Sequence, residues 1–368
     1  MITGTPKFVL HCLVIFTFFT GFQSPGAIAQ TLPDEILLKN YRPQSVFKIP
    51  QTYVPKAKFP AIEIHAHSYA DDYEQIVQWV KIMDEVGIQK AIVLTAQTGA
   101  KFDSIYAGYA RYPGRFEVWC GFDYTGYDQP GYGPAAVAEL ERCARVGATG
   151  VGELGDKGKG MFYSHPTKAW GMHFDDPRMA PLLEKCGELG LPINIHVGEP
   201  LWFYQPMDST NDGLMSAFEW RLDNQKDIVD LAGMINILER AVKRHPRTTF
   251  IACHFANLNH DLTRLGELLD KYPNLYADIS ARYAESATIP RFAKAFIEKY
   301  QDKLLYGTDL GNDPDMYRMT FRILESNDEH FYEIDELRYF WSLSGFGLND
   351  TVLEKLYQKN ALKILKSK

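Results

Sequence analysis

Five cysteines in 368 residues, with no Cys-x-x-Cys pair among them, leave neither a thiolate zinc site nor a dithiol redox motif in the chain. Long basic runs are missing too, and the formal net charge is -7. Neutralising a phosphate backbone takes clustered Lys and Arg, so no nucleic acid partner is expected. Beyond residue 30 no stretch reaches the ~18 apolar residues that a membrane helix needs. Internal repeats and low-complexity tracts are absent, which excludes solenoid, collagen-like and rod-like architectures. What is present is 46% hydrophobic, 13% aromatic and 23% charged residues, an ordinary globular composition. The length suits two domains or one large α/β barrel.

The N-terminus stands apart. Lys7 precedes the apolar run from Phe8 to Phe22, and Gly26-Ala27-Ile28-Ala29-Gln30 follows. A basic start, an apolar stretch too short to span a bilayer and an Ala-x-Ala site describe a secretory signal peptide over residues 1–29. The expected destination is export, to the periplasm of a bacterium or otherwise to the outside. Residues 30–58 are polar and Pro-dotted and read as an extended arm. Of the cysteines beyond the signal, Cys120 and Cys253 fall in apolar strand-like runs and read as small core residues. Cys143 and Cys186 lie on helical patterns, and their spacing leaves open whether they pair.

From residue 59 to residue 368, short β-branched runs alternate with helical patterns. The strand candidates are Ala61–His67, Lys90–Ala96, Phe116–Asp123, Gly150–Leu154, Pro192–Val197, Thr248–His254, Leu275–Ser280 and Leu304–Asp309. Helical spacing marks Tyr73–Val86, Ala135–Val146, Ala180–Leu189, Ile228–Lys243, Leu262–Lys271 and Phe292–Tyr300, and Gly87, Gly147 and Gly190 end three of them. Near-continuous apolarity suits parallel strands covered by helices. Eight β-α units close into a (β/α)8 TIM barrel, the alternative being a doubly wound open sheet. Long connections, residues 156–175, 199–224 and 311–347, follow the fourth, fifth and eighth strands, where lids and walls are built. Asp350–Leu365 reads as a closing amphipathic helix.

The chemistry sits at strand ends. His65 and His67 end the first candidate strand, and residues i and i+2 on a strand point to the same side. His196 closes the fifth, His254 the sixth and Asp309 the eighth, all at the carboxyl rim where barrel enzymes assemble their sites. Four imidazoles and a carboxylate at that depth are costly unless they share a cation. A nitrogen-rich donor set with one carboxylate suits Zn2+, with Mn2+, Fe2+ or Ni2+ as alternatives. Glu153 ends the fourth strand and reads as a further ligand or as a partner that orients one. Its stretch also spells Gly150-x-Gly152-x-x-Gly155, but these glycines do not open a helix and carry no dinucleotide site. Arg282, after the seventh strand, is a candidate carboxylate fork or an ion-pair partner of Asp278 or Glu285. Trp202, Phe203 and Tyr204 follow His196 and could stack on a substrate ring or pack their own loop. His165, His173, His245, His260 and His330 read as solvated or capping residues.

This constellation resembles the amidohydrolase superfamily, and Leu356-Tyr357-Gln358-Lys359-Asn360-Ala361-Leu362 is similar to the Asn-Ala helix that ends its amidohydrolase-related branch. The resemblance runs from about Phe59 to Leu365. It implies a barrel with one or two divalent ions held by His65, His67, His196 and Asp309. His254 would be a ligand of a second ion or would polarise the substrate carbonyl. Where many relatives carry a carboxylated Lys, the DNase-like branch has Glu, as at Glu153. The implied activity is hydrolysis of an amide, lactone or ester-like bond of a small molecule by a metal-activated water, with Asp309 moving its proton. Alternatives are non-oxidative decarboxylation of an aromatic or unsaturated acid, phosphoester hydrolysis, and an exported binding protein without turnover. A homo-oligomer is compatible with all of them.

Overall fold

The computed structural model describes residues 32–158 and 169–365. The signal-peptide expectation and part of the 156–175 connection, with His165, lie outside the described residues. The chain divides at Tyr41/Arg42 into two compact units. In the first, the described residues form two single 3-10 turns, Pro33–Glu35 and Leu38–Asn40.

The second unit carries eight strands: β1 Ala61–Ala66, β2 Ile88–Leu94, β3 Phe116–Trp119, β4 Val151–Gly155, β5 Ile193–His196, β6 Phe250–Ala252, β7 Leu275–Asp278 and β8 Leu304–Leu305. All pairings are parallel, in the orders β1-β2-β3 and β4-β5-β6-β7-β8. The two sheets join at both seams. Cys120 pairs with Val151, and Gly152 N donates to Cys120 O at 2.9 Å. At the other seam Ile64 N donates to Tyr306 O and Asp309 N to His65 O, each at 3.0 Å. The result is a closed (β/α)8 barrel, which excludes the open doubly wound sheet.

A long helix follows each strand: α1 Tyr73–Val86, α2 Gly99–Tyr109, α3 Pro134–Val146, α4 Ala180–Leu189, α5 Leu231–Arg244, α6 Leu262–Lys271, α7 Pro290–Lys299 and α8 Pro314–Glu325, with short helical turns at Leu201–Tyr204, Leu214–Ala217 and Tyr283–Ala287 in the connections. Asp72, Asp230, Asp261 and Asp313 accept N-terminal amides of α1, α5, α6 and α8, satisfying donors that the helices leave open. Gly87 and Gly190 end α1 and α4 at φ +86° and +66°, where a side chain would be strained. Helix α8 lies inside the 311–347 stretch that the sequence reading treats as a connection. Its Met316, Tyr317, Thr320, Phe321, Ile323 and Leu324 are buried, a helical stripe behind an Asp-Pro start.

Inside the barrel, Ile62, Ile64, Ile92, Leu94, Trp119, Ile251 and Leu305 cluster with Ala361, Ile364 and Leu365. Ala361 and Ile364 belong to, and Leu365 ends, the C-terminal helical segment, Asp350–Glu354, a π-turn at Lys355–Lys359 and Asn360–Ile364, which plugs the amino-terminal mouth. Asn360 is fully buried and donates to Gln301 O at 2.6 Å and Leu304 O at 2.8 Å, tying the plug to the start of β8.

The observed strands stop earlier than the apolar runs. His67, Ser280 and Asp309 lie past the last paired residue, and at the rim Ala96, His254, Ala281 and Asp309 have φ of +52° to +58°. Positive φ is sterically costly for residues with a side chain and clusters at functional sites. Cys120, Cys143, Cys186 and Cys253 are all buried free thiols, so Cys143 and Cys186 do not pair. His245 is the capping residue of the two alternatives: it ends α5, its N donating to Ala241 O, and it is buried there, which lowers its pKa.

Candidate metal centre

Two of the central residues ride on irregular strands. The β1–β2 register shifts between Glu63 and Ala66, and the β4–β5 register between Val151 and Leu154. Such bulges re-aim side chains, and Ile64 can therefore line the inner core while His65 turns toward the rim. Gly307 permits the close approach of β8, since a Cβ there would stand 2.8 Å from His65 Cβ.

Glu153 is the hub. Its Oε1 lies 2.6 Å from His196 Nδ1 and 3.5 Å from His254 Nε2, and its Oε2 lies 3.3 Å from His67 Nε2 and 3.6 Å from His65 Nε2. Asp309 faces it across the centre, with Oδ1 3.0 Å from His67 Nε2 and 3.7 Å from His65 Nε2, and Oδ2 3.6 Å from His254 Nε2. The structure thus brings together all six residues read as ligands: His65, His67, Glu153, His196, His254 and Asp309. Two overlapping groups have donor atoms within 4.8 Å of one another, one of His65, Glu153, Cys253 and His254, the other of His65, His67 and Asp309. His65 Nε2 is buried with no hydrogen-bond partner among the described residues. A buried nitrogen without a hydrogen bond, facing two carboxylates, fits a divalent cation.

Electrostatics follow from burial and crowding. Burial pulls the His65 imidazole down, but Asp278, Asp309 and Glu153 outweigh it and hold its pKa well above the usual 6.5. His67 is driven to about 10 against burial by Asp309 and Glu153, and His196 to about 10 by Glu199 and Glu153. Burial would raise Glu153 and Asp309, yet the surrounding imidazoles keep both below the usual carboxylate range. His254 is the exception: burial depresses it.

The substrate-facing candidates divide. A cleft of about 530 Å3 opens beside the centre, and Ala281 and Leu310, neighbours of Ser280 and Asp309, form part of its wall. Arg282 and Phe203 line it with Trp220, Tyr339 and Phe340. Arg282 donates to Asn257 Oδ1 at 2.7 and 3.1 Å and lies 3.8 Å from Glu285, not on Asp278. Trp202 packs on Gly213 in its own loop, and Tyr204 Oη accepts from Glu199 N at 3.2 Å. Neither lines the cleft.

The sequence reading overlooks several residues here. Asp278 and Ser280 lie beneath the histidines, Asn257 Nδ2 stands 3.5 Å from His196 Nε2, and Cys253 Sγ approaches the centre while bonding Asn194 Oδ1 at 2.9 Å. The available signal was the run Asp278-Ile279-Ser280, two small polar residues at the rim-facing end of an apolar strand.

A closed barrel with a candidate divalent-metal site on its carboxyl rim defines the class of protein. The family model for amidohydrolases matches residues 81–366, and the chain belongs to that family. The match begins after β1, so His65 and His67 precede it. No curated protein matches the chain. Among solved structures, it is similar to an uncharacterised TIM-barrel protein of Bordetella bronchiseptica, at 15% identity and TM-score 0.52 over 83% of this chain and 98% of that one. It is also similar to 5-carboxyvanillate decarboxylase of Sphingomonas paucimobilis, at 14% identity and TM-score 0.50 over 84% and 99%. At these identities the likeness is one of fold.

Proposed function

We propose that the protein is a metal-dependent hydrolase acting on an amide, lactone or ester-like bond of a small molecule, with zinc as its cation. The observation that carries this reading is the buried, unpartnered His65 Nε2 set between the carboxylates of Glu153 and Asp309. His65, His67, His196 and Asp309 would hold the ion, with Glu153 and His254 completing the donor set. Zinc is favoured by the imidazole-rich donors. When bound, such a cation supplies Lewis acidity, polarising a substrate oxygen and bringing the ionisation of water from near 16 towards ~7. Asp309 Oδ2 takes the proton of the attacking water and returns it to the leaving group. Phe203, Trp220, Tyr339 and Phe340 in the cleft wall pack against an apolar part of the substrate, and Arg282 orients an acidic one. The pattern of residues 1–29 supports export as part of the same reading.

Asp309→Asn tests the assignment. Turnover on a panel of esters, lactones and amides falls about 10²–10⁴-fold, while circular dichroism shows the variant still folded. Undiminished turnover would remove Asp309 from the mechanism. A second reading is favoured by Arg282 in an aromatic-lined cleft: an aryl carboxylate held there could lose CO2 instead. Release of CO2 from an aryl acid, with no activity on the hydrolytic panel, decides for decarboxylation.

A further inference from the structure

Beneath the centre, one hydroxyl serves two histidines from different strands. Ser280 Oγ lies 3.0 Å from His65 Nδ1 and 3.0 Å from His254 Nδ1, and it makes a short hydrogen bond to Asp278 Oδ1. Asp278 is fully buried and accepts at both oxygens. Oδ1 takes His254 N at 2.9 Å and Ser280 N at 3.2 Å, and Oδ2 takes Asn194 Nδ2 at 3.1 Å and faces His65 Nδ1 at 3.0 Å. His254 Nδ1 also faces the Ser280 carbonyl oxygen at 3.0 Å.

The donors and acceptors balance in one way. An ionised carboxylate and a carbonyl only accept. The Ser280 hydroxyl gives its proton to Asp278 and keeps two lone pairs, one for each imidazole. Both Nδ1 atoms therefore carry hydrogen, which leaves the two Nε2 atoms, facing Glu153 and Asp309, as the nitrogens that can give a lone pair to a cation. We infer that Asp278 and Ser280 are a shared positioning pair that fixes one tautomer and one ring orientation on His65 and His254 together. The inference rests on the metal-centre reading and deepens it: His254 presents a lone pair as a ligand or proton acceptor and is not a hydrogen-bond donor to a substrate carbonyl. Partners of this kind hold ligating imidazoles in place, and their loss typically weakens metal binding about 10–100-fold.

The test is zinc affinity, measured by competition with a chromophoric chelator on the full-length protein, for wild type, Ser280→Ala, Ser280→Thr and Asp278→Asn. Ser280→Ala weakens zinc about 10–100-fold and changes the visible spectrum of the Co2+-loaded protein, in a variant that circular dichroism shows to be folded. Ser280→Thr, which keeps the hydroxyl, restores affinity. Asp278→Asn, which can present an N–H to His65 Nδ1, loses at least as much as Ser280→Ala. Wild-type affinity and an unchanged Co2+ spectrum in Ser280→Ala overturn the inference while leaving the metal centre intact. A wild-type protein that binds neither ion overturns both. Should the alanine variant not fold, nitrogen NMR of histidine-labelled, zinc-loaded wild type decides. Protons on Nδ1 of both His65 and His254 support the pair, and a proton on Nε2 of either overturns it.

Discussion

His67 and His196 are held near 10 by the carboxylates around them, so without a cation both imidazoles are protonated at neutral pH. A cation and these protons compete for the same centre, and metal loading releases protons. The apparent zinc affinity consequently rises with pH through the neutral range, which a pH series of chelator competitions reads directly; a pH-independent affinity contradicts it. The metal-free protein shows the opposite trend in stability. A pKa raised above the unfolded 6.5 contributes stability that is complete below 6.5 and is lost as pH climbs toward 10. Melting curves in chelator decline across that window, whereas zinc-loaded curves hold. Asp309 and His254 differ from the other four residues of the cluster in backbone, since both occupy positive φ at the rim. The cost of that conformation is borne by a residue whose position the centre requires.

At the scale of elements, the barrel was legible because its strands are apolar runs separated by capped helices, and three helix-ending glycines stood where expected. His196 and His254 could be placed because each ends such a run. Other features had no local signal. The register shifts that bring His65 and Glu153 inward depend on pairing with β2 and β5, and strict alternation would have put Ile64 and His65 on opposite faces. Helix α8 was hidden in a presumed connection although its cap and apolar stripe were present. Asp278 and Ser280 reveal their role only once the barrel brings His65 and His254, from β1 and the end of β6, against the end of β7. The C-terminal plug invites its own test. Asn360→Ala removes two buried hydrogen bonds to Gln301 O and Leu304 O and leaves their carbonyls short of a donor. Denaturant unfolding loses about 1–3 kcal/mol, while zinc affinity at the opposite mouth is retained. A loss of affinity as large as that of Ser280→Ala contradicts the separation of plug and site.

For the whole molecule, fold and site separate: the closed strands and their helices make the frame, and the six polar side chains gather at one pole of it, where we propose a cation. The described residues include no helix long and apolar enough to cross a membrane. The most direct measurement is the metal content of the purified protein after loading with zinc and removal of excess, beside a His65→Ala/His67→Ala variant. The account predicts one or two ions per chain in the wild type and a loss of bound metal in a variant that still folds. A wild-type chain that retains no more zinc than the variant contradicts it.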